Sequence, residues 1–181
     1  MEYQKHEKQE WRETRLKGKM AESLVYSLLQ ESGNEVYAIG YEEILPGLSG
    51  EGRSKFVRNT IIGKKITAIP DLFVIDQSRQ PHLVEVKFRY NSKWHENDKS
   101  DLEFLKKNWE EAIIVVVNCH EKPYFRLCRK PFWDDQNQII SEPLLSFISF
   151  NITEDLLSKF DPLVKKYLAP TLNKKKHDLP A

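Results

Sequence analysis

Two apolar segments joined by a polar turn constrain this chain more than any other part of its sequence. Residues 69–75 and 82–88 are rich in β-branched and aromatic side chains, and the polar residues 77–80 lie between them. This pattern predicts an antiparallel hairpin. In the second segment, apolar residues alternate with Glu85 and Lys87. Because side chains alternate between the two faces of a strand, we expect Glu85 and Lys87 on the same face.

The predicted hairpin brings two acidic residues together. If its turn consists of residues 77–79, Asp71 lies directly opposite Glu85. Opposed side chains of antiparallel strands have Cβ atoms about 4.5–5.5 Å apart. Two carboxylates at that distance repel each other unless a positive charge lies between them. Hard divalent cations prefer oxygen ligands and leave places for water and phosphate oxygens, so the pair predicts a site for Mg²⁺ or Mn²⁺.

Lys87 adds a cation beside this carboxylate pair. Hydrolysis of a phosphodiester needs an activated water, neutralised charge at phosphorus and stabilisation of the leaving oxygen. Metal ions supply these effects, and a lysine can orient the water or stabilise the developing negative charge. The three residues together therefore predict a metal-dependent phosphodiesterase.

Periodic apolar segments before and after the hairpin predict an α/β fold with a mixed sheet flanked by helices. The expected elements are helices at residues 10–32, 100–111, 153–160 and 161–168, and further strands at 35–41, 112–118 and 124–127. A capping box formed by Ser100 and Glu103 predicts the start of the second helix. Asp161, followed by Pro162, predicts a fresh start for the last one. The long connection at residues 46–68 is expected to be a loop, with a hairpin at 60–67 as one interpretation.

Three short motifs in this order resemble those of a known nuclease superfamily. They are Gly-Lys-Met-Ala-Glu at residues 18–22, Pro-Asp at 70–71 and Glu-Val-Lys at 85–87. The last two, with thirteen residues between them, resemble the signature of the PD-(D/E)xK superfamily, which includes restriction endonucleases and archaeal-type Holliday junction resolvases. The first is similar to the first-helix motif of resolvase-like members. The core of that superfamily is a helix, three strands, a helix and a strand, which is the order predicted above.

The resemblance implies a role for each matched residue. Asp71 would be the central metal ligand, Glu85 the second ligand, and the backbone carbonyl of Val86 a third. Lys87 would be the catalytic lysine, and Glu22 an outer ligand or the ligand of a second metal. The resemblance also implies a Mg²⁺- or Mn²⁺-dependent endonuclease that acts on DNA. Since cutting both strands of a duplex usually requires two active sites, it further implies a homodimer.

Basic residues cluster near the predicted site, although the net charge of +1 gives no indication of a nucleic-acid partner. Residues 52–68 and 87–95 contain basic side chains and no acidic ones. Such local stretches can contact phosphates even when the total charge is balanced. The predicted nucleic-acid-binding residues are Arg53, Lys55, Arg58, Lys64, Lys65, Arg89 and Lys93. Solvated loops are the alternative interpretation of these stretches.

Composition limits the remaining possibilities. The longest apolar run, residues 112–117, is too short to cross a membrane. The two cysteines, Cys119 and Cys128, are too few for a disulfide scaffold and indicate a reducing compartment, expected to be the cytoplasm. For a chain of 181 residues we expect a nuclease-like core over residues 1–130 and a C-terminal extension over 131–181, packed on that core and ending in a loose basic tail.

Two other functions are compatible with these features. The same fold could serve as a nucleic-acid-binding or assembly subunit that has lost turnover. Alternatively, the chain could be an unrelated α/β domain in which Glu85 and Lys87 form only a surface ion pair. That last interpretation requires Asp71 and Glu85 to point to different faces of the sheet.

Overall fold

A six-stranded mixed sheet organises the fold in a computed structural model that describes residues 2–48, 57–90, 96–133 and 139–169. Its strands are β1 (Glu35–Ala38), β2 (Leu72–Ile75), β3 (Pro81–Arg89), β4 (Ile113–Asn118), β5 (Phe125–Trp133) and β6 (Ile139–Pro143). The helices of the described residues are α1 (Glu2–Glu31), α2 (Tyr41–Ile44), α3 (Ile61–Thr67), α4 (Glu96–Asn108) and α5 (Glu154–Leu168).

The strands lie side by side in chain order, from β1 to β6. Neighbours run antiparallel except β3 and β4, which run parallel and are joined by α4. A parallel pair needs such a crossover connection. The predicted α/β class is therefore confirmed, and so is the order of a helix, three strands, a helix and a strand. The short helices α2 and α3 are inserted between β1 and β2.

Helices cover both faces of the sheet. On one face, α1 and α5 pack against each other and against the strands, and α1 contributes the apolar side chains of Leu24, Val25, Leu28 and Leu29. On the other face, Leu102 and Leu105 of α4 pack on Ile114 and Val116 of β4. β4 is consequently buried on both faces, as its apolar sequence predicts. None of the helices in the described parts of the chain combines the length and apolar character needed to span a lipid bilayer.

The first helix begins earlier than expected and ends where expected. α1 runs from Glu2 to Glu31 rather than from residue 10. Gly33 then adopts φ 89°, the left-handed conformation that commonly ends a helix and that glycine adopts without steric cost.

The β2–β3 hairpin has the predicted register. Leu72 pairs with Val84, and one further step of the same register sets Asp71 opposite Glu85. The loop between the strands consists of residues 77–79, because the N–H of Asp76 donates to the carbonyl of Gln80 at 3.0 Å. The predicted three-residue turn is therefore confirmed.

Asp76 is the buried side chain that holds this turn together. Its Oδ1 accepts a hydrogen bond from the N–H of Gln80, and its Oδ2 lies 2.9 Å from Nε2 of His82. Arg79, the last loop residue, has φ 65°, which is the left-handed conformation typical of that position in three-residue hairpins. The turn thus fixes the register on which the position of Asp71 depends.

Residues 60–67 do not form a hairpin, so that interpretation is wrong. They form α3, whose start is capped by Thr60: its hydroxyl oxygen accepts from the N–H of Gly63 at 3.0 Å. Gly63 is buried, and a Cβ there would lie 1.8 Å from the carbonyl oxygen of Val57. The close approach of these two backbone segments explains why the glycine is needed inside the helix.

The two helix starts predicted from local signals are also wrong. α4 begins at Glu96, so Ser100 lies inside the helix, and it ends at Asn108 rather than at residue 111. Acidic residues are favourable in the first turn of a helix because they face its positive dipole end, and residues 96–99 include two of them. A helix start at Glu96 is therefore also favourable, in addition to the one that the capping-box pattern at Ser100 predicts.

α5 is one continuous helix from Glu154 to Leu168, with Pro162 inside it. A proline in a helix interior costs about 3 kcal/mol. Against that cost, Phe160, Val164 and Leu168 are all buried on one face of the helix, and each such side chain contributes about 1.5–3 kcal/mol. The burial of these side chains therefore offsets the cost of the proline, and the helix continues past it. The local sequence pattern does not indicate this burial.

The C-terminal part of the chain completes the same sheet and core. β5 extends to Trp133, so the expected boundary after residue 130 falls inside a strand. β6, which the sequence did not predict, pairs with β5, and α5 packs on α1.

We expect Asp76→Ala to lower the melting temperature, because the N–H of Gln80 and the ring of His82 lose their acceptor. The hydrogen bonds from His82 and Gln80 lower the pKa of Asp76 below its usual 3.8. The carboxylate therefore stabilises the fold above that pH, and this stabilisation is lost as the pH falls below it. Thermal unfolding from pH 3 to 7 should show the difference between wild type and variant narrowing at the acid end.

Glu31→Gln, which alters an exposed carboxylate at the end of α1, serves as the control for this experiment. Its melting temperature should follow that of the wild type at each pH. A difference between Asp76→Ala and the wild type that stays constant down to pH 3 would contradict the assigned role of the carboxylate.

Candidate functional site

A cavity of about 320 Å³ opens where α1, α2 and the β2–β3 hairpin meet. Its lining includes the predicted site residues Glu22, Asp71, Glu85, Val86 and Lys87. Asp71 and Glu85 thus face one cavity rather than different faces of the sheet. The interpretation of Glu85 and Lys87 as only a surface ion pair in an unrelated domain required different faces, so it does not apply.

Asp71 is held through both its backbone and its side chain. It lies one residue before β2, where its carbonyl accepts hydrogen bonds from the N–H groups of Ile39 and Gly40 at 2.9 and 3.1 Å. Its Oδ2 accepts from the N–H of Val86 at 2.8 Å. The carboxyl group of Asp71, just before the first residue of β2, therefore serves as the hydrogen-bond acceptor for the next part of β3.

The first strand is shorter than expected because the residues after it donate hydrogen bonds to the backbone of Asp71. β1 ends at Ala38, and the predicted strand to residue 41 is wrong beyond that point. The amides of Ile39 and Gly40 turn to the single carbonyl of Asp71, and α2 begins at Tyr41. This turn brings α2 to the cavity, where Tyr41 and Glu42 form part of the lining.

Glu85 and Lys87 form a close ion pair on β3. Residues two apart on a strand share a face, and Nζ of Lys87 lies 2.5 Å from Oε1 of Glu85. Burial alone would lower the pKa of Lys87, but the charge and hydrogen bond of Glu85, with the charge of Asp71, raise it instead. Lys87 is therefore a protonated ammonium beside two carboxyl groups.

Glu22 lines the cavity from helix α1, whereas Asp71 and Glu85 belong to the β2–β3 hairpin. Its Oε2 accepts from Nζ of Lys19 at 2.8 Å. Burial raises the pKa of Glu22; Lys19 opposes that effect, and the negative charges of Glu42 and Glu85 add to it. The influence of Glu85 shows that the carboxylates of α1 and β3 share one electrostatic environment.

Asp71 is the most strongly perturbed of these groups. Burial, followed by the charges of Glu85 and Glu22, raises its pKa well above the usual range, against the opposing effects of Lys87 and the Val86 amide. Such a shift means that the site favours either a proton or another cation near this carboxyl group. Groups with strongly perturbed pKa values in a cleft are candidates for functional residues.

The donor atoms of the cavity fit a hard divalent cation. Glu22, Asp71 and Glu85 offer carboxylate oxygens, which Mg²⁺ and Mn²⁺ prefer. The raised pKa values of Asp71 and Glu22 show that additional positive charge would be favourable here. Within the described residues, no three acidic, histidine or cysteine side chains are already gathered as a ligand cluster. Glu85 contacts Lys87, and Glu22 contacts Lys19.

The predicted basic residues have different positions. Arg89 lines the cavity. Lys64 and Lys65 are exposed on α3, whose last residue, Thr67, also lines the cavity, and Arg58, which precedes that helix, is half-buried. The remaining three, Arg53, Lys55 and Lys93, lie outside the described residues.

Three charged residues of the cavity were not predicted as site residues. They are Arg15 and Lys19 of α1 and Glu42 of α2. Lys19 lies within the first-helix motif, and its spacing from Glu22 is a signal for an ion pair between successive turns. Glu42 carries no comparable signal, because its approach depends on how α2 packs beside α1.

We expect Asp71→Asn to stabilise the metal-free protein. A carboxyl group whose pKa is raised on folding holds its proton more tightly in the folded state, so stability falls as the pH rises above the usual 3.8 of aspartate. Asparagine removes this charge and keeps an oxygen acceptor for the Val86 amide. The melting temperature in EDTA should therefore be higher for the variant at pH 7 and should decline less between pH 4 and 8.

Asp155→Asn provides the matched control, since Asp155 is exposed in the first turn of α5. That variant should show no gain in melting temperature. A lower melting temperature for Asp71→Asn in EDTA would contradict the electrostatic description of the cavity.

Comparisons with known proteins gave one weak structural similarity. No protein-family model and no curated protein sequence matches this chain. Among solved structures, it is similar to Hjc, a Holliday junction resolvase from the hyperthermophilic archaeon Archaeoglobus fulgidus. The similarity covers 77% of this chain and 97% of that chain, with 12% sequence identity and a TM-score of 0.38. A similarity of this size says nothing about activity, so the function has to be derived from the site itself.

Proposed function

We propose that this protein is a metal-dependent endonuclease that hydrolyses phosphodiester bonds in DNA. One observation carries the proposal: the carboxyl group of Asp71, with its raised pKa, shares a cavity with the ion pair of Glu85 and Lys87. Carboxyl groups that need a cation, beside a protonated lysine, are the components that phosphodiester hydrolysis requires.

The residues that would hold the metal are those that the superfamily resemblance implies. Asp71 and Glu85 would be the principal ligands, and Glu22 would be an outer ligand or would hold a second metal. Both backbone groups of a strand residue point to the same side, so the Val86 carbonyl lies on the side to which its N–H donates, toward Asp71. Mg²⁺ or Mn²⁺ would supply Lewis acidity at the phosphate and a lowered pKa of bound water.

The residues of the chain would bind and orient the reactants. In the hydrolysis, the water loses one proton as its oxygen bonds to phosphorus, the bond from phosphorus to the leaving oxygen breaks, and the leaving oxygen gains one proton. The ammonium of Lys87 can donate hydrogen bonds to a phosphate oxygen or to the attacking water while Glu85 holds it in place. A preorganised cation where negative charge develops lowers the barrier without reorganisation.

The substrate would approach along α3. Lys64 and Lys65 are exposed on this helix, which ends at Thr67 on the cavity wall, and Arg89 lies in the cavity itself. Positive charge that leads from the surface to the carboxylates would counteract the repulsion between an acidic site and a polyanion. We propose DNA as the polymer and a homodimer as the form that cuts both strands.

A binding or assembly subunit without turnover is the alternative function. One observation favours this alternative: Glu85 and Glu22 each already contact a lysine. In that case these pairs would be structural and no metal would be required. Cleavage assays separate the two functions.

We expect Mg²⁺- or Mn²⁺-dependent cutting of DNA that EDTA abolishes. Asp71→Asn should reduce cutting to background, and Lys87→Met should reduce it by about 10²–10³-fold, the usual loss when one preorganised charge donor is removed. The assay should compare linear duplex, branched and single-stranded DNA at equal nucleotide concentration. Mg²⁺ at 100 times its dissociation constant should also stabilise the wild type by about 2.7 kcal/mol, and Asp71→Asn should lose this effect.

Lys159→Met, on an exposed position of α5 outside the cavity, should cut at the wild-type rate. Binding of DNA in EDTA should persist in all the variants. If Asp71→Asn and Lys87→Met cut as fast as the wild type, the activity comes from another site or from a contaminant. If no form of DNA is cut although DNA is bound, the binding subunit is the correct function.

The role of α3 predicts a specific change in salt dependence. Each phosphate contact contributes a slope of about −0.9 to a plot of log K against log salt for duplex DNA. The double variant Lys64→Ala/Lys65→Ala should therefore have a slope smaller by about 1–2. The control is Lys159→Ala/Lys166→Ala, which removes two exposed lysines of α5. Equal slopes for the two double variants would contradict a contact between α3 and DNA.

A further inference from the structure

Lys19 lies between two carboxylates of the cavity that come from different elements. Its Nζ is 2.8 Å from Oε2 of Glu22 and 3.1 Å from Oε2 of Glu42. Lys19 and Glu22 are one turn apart on α1, whereas Glu42 belongs to α2. The ammonium therefore joins the two helices at the wall of the cavity.

Glu42 is oriented by contacts on its other oxygen. Its Oε1 lies 3.2 Å from NH2 of Arg15 and accepts from the hydroxyl of Tyr41 at 3.2 Å. With Oε1 directed to these two groups, Oε2 faces Lys19. Burial would raise the pKa of Glu42, but the hydrogen bond and charge of Lys19, together with Arg15, lower it. Glu42 is thus a carboxylate held in its charged form.

The charges of the cavity divide into two groups. On the β2–β3 hairpin, Glu85 pairs with the ammonium of Lys87, and Oδ2 of Asp71 accepts a hydrogen bond from the N–H of Val86. Glu22 and Glu42 share the ammonium of Lys19. A single ammonium thus lies within 3.1 Å of both carboxylates.

We propose that Lys19 is a built-in cation that takes the place of a second divalent ion, so that the cavity binds one divalent ion, at Asp71 and Glu85. A second ion at Glu22 and Glu42 would have to displace an ammonium that is hydrogen-bonded to Glu22 and ion-paired with Glu42, and it would also have to lose part of its own hydration. Lys19 is a positioning residue in this arrangement, and Glu22 acts through it. The inference rests on the proposed metal-dependent function.

The test is a count of bound Mn²⁺ by titration, with free Mn²⁺ followed by its electron paramagnetic resonance signal. The wild type should bind one ion per chain. Lys19→Met, which keeps the length of the side chain and removes its charge, should bind two. Adding Glu42→Gln to Lys19→Met should return the count to one, because the second ion loses a carboxylate.

Two control variants separate charge at this position from a structural effect. Lys19→Arg keeps the cation and should bind one ion. Arg15→Met removes the cation on the outer oxygen of Glu42 and should also bind one. The melting temperature of each variant in EDTA shows that it is folded before the titration.

The outcomes distinguish this inference from the proposed function. A wild type that binds two ions overturns the inference alone, whatever the variants do, and so does a count of one for folded Lys19→Met. A wild type that binds no Mn²⁺ up to millimolar concentration overturns both the inference and the proposed metal-dependent nuclease.

Discussion

The hydrogen bond from the N–H of Val86 to Oδ2 of Asp71, at 2.8 Å, is the contact on which the arrangement of this site depends. β2 is four residues long and β3 is nine, so β3 continues beyond its partner. At that point a side chain replaces the backbone as hydrogen-bond acceptor. The carboxyl group of Asp71 is thereby held at the edge of β3, and the Glu85–Lys87 ion pair lies on the same strand.

The rest of the fold supports this unfavourable concentration of charge. α1 packs its apolar stripe on the sheet and presents Lys19 and Glu22 at the cavity. The turn after β1 donates two amides to the carbonyl of Asp71 and leads into α2, which carries Glu42. Each lysine is adjacent to acidic groups, yet the pKa of Asp71 remains raised. A site that retains such a charge imbalance exchanges stability for function, which is common where a ligand is bound.

Two of the errors in prediction share a cause. The glycine-containing connection at residues 60–67 and the proline at 162 are local signals, which favour a turn and a helix break. At residues 60–67 the close approach of Gly63 to Val57, and at Pro162 the burial of one face of α5, decide the structure instead. Such contacts join residues that a short window does not relate to each other. Where alternation and turn length act within one hairpin, as at β2 and β3, the sequence signal was sufficient.

The sequence by itself determined the hairpin, its register and the convergence of Asp71, Glu85 and Lys87, because strand alternation and a three-residue turn are local properties of 19 consecutive residues, from 71 to 89. The tertiary structure alone decided the second group of charges. Lys19 and Glu42 are 23 positions apart and meet because α1 packs on the sheet while the turn after β1 carries α2 to it. An ion pair between residues that far apart depends on how the helices pack, and the periodic pattern of apolar residues in the sequence does not predict it.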